Sequence, residues 1–145
     1  MTIAIYAGSF NPFHKGHMDI LLKSKSIFDK VIIARGVNPD KPSSEFEIPK
    51  LVKDVANVME FSGLLTDFIK SIQLFFPDDR IVLVRGLRNS ADFEFELMQY
   101  RYMEKMMPEI KMVSLFCDRE LDHVSSSGIR ALSKFGEENT KDYLI

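Results

Sequence analysis

Cysteine is almost missing from this chain: Cys117 stands alone among 145 residues, and a single thiol cannot build an internal disulfide framework. A cytoplasmic location is therefore expected. No segment reaches the roughly 18 consecutive apolar residues of a membrane span, and Met1–Tyr6 lacks the basic flank and longer apolar stretch of a secretory signal. Neither export nor membrane insertion is expected. An excess of positive charge is missing too, since 19 basic and 21 acidic side chains give a formal charge of -2. That balance supplies no global field for holding duplex nucleic acid, so any recognition of phosphate has to be local. Glycine and proline are sparse, at 7 and 6 residues against 46% hydrophobic residues, which excludes collagen-like and disordered character. Internal repeats and low-complexity tracts are absent as well. The length fits one domain, residues 1–145, with one hydrophobic core and hence one site to look for.

What the chain does contain is an alternation of short β-rich runs with helical segments. Ile3–Ala7, Val31–Arg35, Asn57–Phe61, Ile81–Val84 and Met112–Phe116 read as strands, several of them almost continuously apolar, as strands of a parallel sheet covered on both faces are. Gly16–Phe28, Leu64–Leu74 and Ala91–Met106 carry apolar residues at helical spacing. The succession predicts an α/β fold: a Rossmann-like, doubly wound, five-stranded parallel sheet with helices on both faces and right-handed crossovers. Asn38–Pro49, with Pro39, Pro42 and Pro49, reads as a surface loop or lid. Glu137–Ile145 reads as a loosely ordered tail.

Ligands of such sheets lie beyond the carboxyl ends of the strands, and four polar clusters fall there. Gly8-Ser9-Phe10-Asn11-Pro12-Phe13-His14-Lys15-Gly16-His17 follows the first strand and opens the first helix. Its glycines allow close backbone approach, its helix start favours an anion, and Ser9, His14 and His17 are potential donors to phosphate oxygens. The competing reading is that either histidine caps the helix or packs against the loop; chelation of a metal is a third, with no compact partner set in the sequence. Arg85-Gly86-Leu87-Arg88 follows the fourth strand, where two guanidiniums suit a polyphosphate or are simply solvated. Glu96 on the next helix is placed to pair with an arginine, accept from a ribose hydroxyl, or face water. Ser125-Ser126-Ser127-Gly128-Ile129-Arg130 offers more hydroxyls than one helix cap requires. Asn38-Pro39-Asp40-Lys41-Pro42 sets Lys41 on a stiff turn, from which its ammonium either reaches a phosphate or stays in solvent.

Taken together, these segments resemble the nucleotidyltransferase superfamily marked by a His-x-Gly-His or Thr-x-Gly-His signature and a late serine-rich signature. The segments Phe61–Phe68, Val84–Arg88 running through Asp92–Leu97, and Met107–Ile110 narrow the resemblance to bacterial phosphopantetheine adenylyltransferases, over residues 3 to about 136. The resemblance implies transfer of AMP from ATP to 4'-phosphopantetheine by direct in-line attack, giving dephospho-coenzyme A and pyrophosphate, with Mg2+ accompanying ATP and no protein-held metal. It implies His17, Lys41 and Arg88 as catalytic residues. ATP contacts would come from Ser9, Phe10, His14, His17, Gly86, Leu87, Arg88, Glu96, Ser125, Ser126 and Ser127, and acceptor contacts from Ser9, Lys41, Leu65 and Arg85. A homohexamer is implied too, with no nucleic-acid or membrane partner. The chain departs from the family in carrying His14 where threonine is usual, as relatives that adenylate nicotinate or nicotinamide mononucleotide do. That acceptor, and a catalytically weak nucleotide-binding protein of the same fold, are the alternatives. The segment after Lys41 is shorter than usual, and Leu121-Asp122-His123-Val124 lacks the family's aromatic side chains.

Overall fold

The computed structural model describes residues 1–38, 40 and 46–145. Five strands, β1 (Thr2–Gly8), β2 (Lys30–Gly36), β3 (Asn57–Phe61), β4 (Arg80–Leu87) and β5 (Met112–Phe116), form one sheet in the order β3-β2-β1-β4-β5. Every adjacent pair runs parallel. The three central strands are almost continuously apolar because both faces are covered. Along β1, Ile3, Ile5 and Ala7 enter one core layer while Ala4 and Tyr6 enter the other, the period of two that a pleated strand imposes.

The layer under Ile3, Ile5 and Ala7 is closed by α3 (Leu65–Phe75) and α4 (Ser90–Met106), which contribute Ile69, Ile72 and Met103. The opposite layer is closed by α1 (Lys15–Ile27) and the short α2 (Lys50–Val55) through Ile20, Leu21 and Val52. The expected strands and the three long helices are all present, each within a few residues of its expected bounds. The edge strands β3 and β5 are more exposed than the centre.

Two features differ from expectation. Nothing in the residue pattern signalled α2, because six residues following Pro49 are too short to show a helical period. The segment Glu137–Ile145 is not loose: two 3-10 turns fold it back, Thr140 is buried, and Leu144 forms an isolated antiparallel bridge with His14. Among the described residues no helix is long and apolar enough to cross a membrane.

Winding reverses between β1 and β4, since β2 and β3 lie to one side of β1 and β5 lies beyond β4. Diverging connections leave a crevice at the carboxyl ends of those two strands. It is a cleft of about 530 Å³, with walls from the β1–α1 loop, the end of β4, α4 and the start of α5 (Ser126–Ser133).

Candidate active site

The β1–α1 loop supplies one wall. His14 is the N-cap of α1: its Nδ1 accepts from the N–H groups of Gly16 at 3.0 Å and His17 at 3.4 Å, while His17 Nδ1 accepts from the His14 N–H at 3.1 Å. This reciprocal pair is a capping box built from two imidazoles. An accepting Nδ1 carries no proton, so in a neutral ring the hydrogen sits on Nε2. The rings stack at 3.7 Å between centroids, and both line the cleft. Capping and ligand donation are therefore compatible: one nitrogen of each ring fixes the helix start and the other is left as a donor.

Both rings are held neutral. Burial, assisted by the positive charge of Arg88, lowers the His14 pKa from 6.5 to about 4. Burial first, then His14 and Arg88, pushes His17 well below 6.5. They offer hydrogen bonds of fixed direction rather than full positive charge. Beneath them, Phe10 packs against Tyr6, Phe13 and His17, with 4.9 Å between the Phe10 and His17 centroids. A Cβ on Gly8 would lie 3.2 Å from the Phe10 ring, so the glycine lets this aromatic fold back under the loop.

The positive charge comes from the end of β4 and the residue that follows it. Arg85 lies 2.9 Å from Glu96 Oε1 on α4, and Arg88 makes a two-pronged pair with Asp92, at 2.8 Å from Nε and 2.9 Å from Nη2. Arg88 keeps the Asp92 carboxyl below the usual carboxylate range, and Asp92 raises Arg88 in turn. Held this way, both guanidiniums are fixed before a ligand arrives. Glu96 Oε2 is buried with no partner among the described residues, an acceptor that a ligand O–H or N–H would satisfy. Gly86 is needed for packing, since a Cβ there would come within 2.8 Å of Ile20.

The three serines divide their work. Ser125 caps α5 by accepting from the Gly128 N–H at 3.0 Å, Ser126 donates to the Pro12 carbonyl at 2.8 Å, and Ser127, exposed, has only a 3.4 Å contact with Ser125. Ser127 thus retains a hydroxyl at the helix start. Cys117, Leu121 and Val124 form a partly apolar wall nearby.

The cleft brings together Ser9, Phe10, His14, His17, Arg85, Gly86, Leu87, Arg88, Glu96 and Ser125–Ser127. Leu65 is not among its lining residues; it opens α3 and packs against the core layer beneath that helix. Lys41 lies outside the described residues. Three contributors had been assigned no role from the sequence. Asp92 stands at i+4 from Arg88, a spacing that signals a pair once the helix is known. Arg130 donates to the Asn11 carbonyl, and Arg35 donates to the Ser9 carbonyl at 3.0 Å and the Phe10 carbonyl at 3.4 Å. For Arg35 the available signal was an arginine in phase with Val31 and Ile33 on a strand face that is otherwise apolar.

A parallel sheet with a crevice at its switch point, lined by neutral imidazole donors, oriented guanidiniums and a serine-rich helix start, defines a nucleotidyltransferase, and residues 5–132 match the cytidylyltransferase-like family. Phosphopantetheine adenylyltransferases of Clostridium tetani and Mycoplasma capricolum are 37% and 38% identical to the chain, covering 94% and 91% of it and 86% and 96% of their own lengths. The chain belongs to the phosphopantetheine adenylyltransferase family. Among solved structures, the Plasmodium falciparum nicotinic acid mononucleotide adenylyltransferase superposes with a TM-score of 0.67 at 17% identity, over 99% of this chain and 90% of that one. The Francisella tularensis bifunctional NMN adenylyltransferase/ADP ribose pyrophosphatase gives 0.68 at 17% identity, over 98% of this chain and 44% of that one. Those two likenesses speak to the fold alone.

Proposed function

We propose that the protein transfers AMP from ATP to 4'-phosphopantetheine, forming dephospho-coenzyme A and pyrophosphate. The observation that carries this reading is the pair of Nε2 donors, of His14 and His17, set beside Arg85, Arg88 and Ser127 in one cleft. The acceptor is argued from the phosphopantetheine adenylyltransferases that align along most of the chain.

A phosphate oxygen of the acceptor attacks the α-phosphorus of ATP while the bond to the bridging oxygen breaks and pyrophosphate departs. No side-chain nucleophile is required, so catalysis consists of positioning and of stabilising charge on the α-phosphoryl oxygens. His17 donates to that group, Arg88 and the start of α5 at Ser125–Ser127, with the Ser127 hydroxyl as its free side-chain donor, hold the outer phosphates, and Glu96 accepts from the ribose. Ser9, Arg85 and Lys41 orient the acceptor phosphate, and Leu65 borders its pantetheine arm. Phe10 acts through its backbone and by supporting His17.

Among the described residues no group of three or more His, Cys, Asp or Glu side chains converges to hold a metal, and Asp92 and Glu96 are engaged by arginines. The side chains described do not form a magnesium cage; Mg2+ belongs to the reading as part of the magnesium–ATP substrate. A cytoplasmic setting and a homo-oligomer, a hexamer by resemblance, complete it. For the oligomer the support is α4, where Phe95, Met98, Tyr102 and Met106 make an exposed apolar stripe.

One observation favours a second acceptor: His14, at the position where the family usually has threonine, is a cleft residue of α1's cap. Nicotinate or nicotinamide mononucleotide would then replace phosphopantetheine, with the ATP half of the site unchanged. Pyrophosphate release with magnesium–ATP and each of the three acceptors decides. Release confined to 4'-phosphopantetheine is expected; turnover with a mononucleotide instead establishes the second reading. ATP binding without release under every condition would identify a nucleotide-binding protein without transfer activity.

A further inference from the structure

We propose that Arg35 is a positioning residue that turns the backbone N–H groups of Phe10 and Asn11 toward the cleft and so builds an anion-binding nest in the β1–α1 loop. The proposal rests on reading the cleft as a triphosphate site and assigns a role to a residue outside it. Arg35 is the penultimate residue of β2, is only 3% exposed, and is not a cleft residue.

Four successive carbonyls of the loop are each held by a side chain from elsewhere. Arg35 donates to those of Ser9 and Phe10, at 3.0 and 3.4 Å. Arg130 and Ser126, both on α5, donate to those of Asn11 and Pro12. In a trans peptide the C=O and the following N–H point in opposite directions. A guanidinium that draws the Ser9 and Phe10 carbonyls to its own side therefore sends the Phe10 and Asn11 N–H groups to the other side. Ser9 and Phe10 line the cleft whereas Arg35 does not, so the geometry points these N–H groups away from the guanidinium and toward the cleft side of the loop. Among the described residues neither N–H has a backbone or side-chain acceptor.

The backbone conformation agrees. Phe10 has φ of 49°, a left-handed value that a bulky residue adopts only when its surroundings enforce it. One left-handed residue between ordinary neighbours makes successive N–H groups converge, which is how nests for phosphate are made. Arg35 supplies the restraint, and its buried positive charge stands behind the nest.

The test compares Arg35→Met with Arg35→Lys in the full chain, using calorimetric titration with magnesium–ATP and NMR titration with adenosine. Methionine keeps the aliphatic bulk and removes every donor, leaving the Ser9 and Phe10 carbonyls without that partner. Two lost backbone contacts predict about tenfold weaker ATP binding in Arg35→Met, with adenosine affinity unchanged within about twofold. Arg35→Lys, which keeps the charge but not the fork, should recover part of the loss. Unchanged ATP affinity, or equal loss for ATP and adenosine, overturns the proposal, because a purely structural role does not distinguish ligands with and without phosphates. Should Arg35→Met fail to fold, the same comparison on Arg35→Lys decides, with about threefold weaker ATP binding expected. A wild type that binds ATP but releases no pyrophosphate with any acceptor refutes the transfer reading and leaves this comparison standing; one that binds no ATP overturns both.

Discussion

At the scale of single residues, the two imidazoles carry the strongest consequences because each serves the helix with Nδ1 and the cleft with Nε2. In the proposed reaction the His17 contact tightens as charge develops on the α-phosphoryl group, so His17→Ala is expected to slow turnover by roughly 10²–10³-fold, the scale of a lost oxyanion-type donor. ATP affinity should change far less. Losing the capping acceptor adds a stability penalty of about 1 kcal/mol, which a thermal melt measures separately; equal losses in kcat and in ATP affinity contradict the assignment. Neutrality of the rings has its own signature. When a histidine's folded pKa lies below its unfolded 6.5, the unfolded chain takes up the proton first, so stability is full above 6.5 and falls as pH drops toward the lowered value, about 4 for His14. Each ring adds at most about 1.4 kcal/mol per pH unit to that slope. Asparagine at position 14 still caps a helix but does not titrate. His14→Asn should therefore melt with a shallower pH dependence between pH 6.5 and 4 than the parent chain, and an identical dependence would show that His14 protonation is not coupled to unfolding.

At the scale of elements, the start of α5 separates structural from functional hydroxyls. Ser125 caps the helix at 3.0 Å from the Gly128 nitrogen, while Ser127 makes only one long hydroxyl contact. Ser125→Ala should cost about 1 kcal/mol, a drop of about 2–4 °C in Tm for a domain of this size. Ser127→Ala should leave Tm unchanged and weaken ATP binding, as calorimetry would show; the opposite pattern would mean that the roles are exchanged. The sheet was legible in the sequence because a doubly covered parallel strand is apolar almost along its whole length, as Ile3–Ala7 and the Val31–Ala34 part of Val31–Arg35 are, and because glycine and serine clusters punctuate the strand ends. The clusters were legible for the same topological reason. Pairings across the fold were legible only in part: Glu96 was expected to pair with an arginine and meets Arg85, whereas nothing pointed to Arg35 reaching the Ser9 carbonyl across 26 positions of sequence. The folded-back tail was obscured by its polar composition, which gives no hint that Thr140 is buried or that Leu144 bridges to His14.

At the scale of the whole molecule, α4 is unusually dry on its open side. Of its 17 residues only Glu96 and Met103 are buried, whereas Phe95, Met98, Tyr102 and Met106 are 53%, 48%, 67% and 43% exposed. These four recur at spacings of three, four and four, one narrow stripe along the helix. A stripe of that kind is stabilised by burial against another apolar surface, and a second copy of the chain offers an identical one, as in an isologous contact. Phe95 also lines the cleft, so assembly on this helix would fix one of its walls. Light scattering on the eluting wild-type protein should therefore report a multiple of 16.7 kDa. Tyr102→Glu and Met106→Glu together would set charges in the stripe without touching a cleft residue, and desolvating them at a contact is costly. The double variant should elute at a lower mass, with α-helical content retained by circular dichroism and with a higher KM. A wild type that elutes as a monomer across the micromolar range, or a double variant of unchanged mass, would show that this stripe is not the contact.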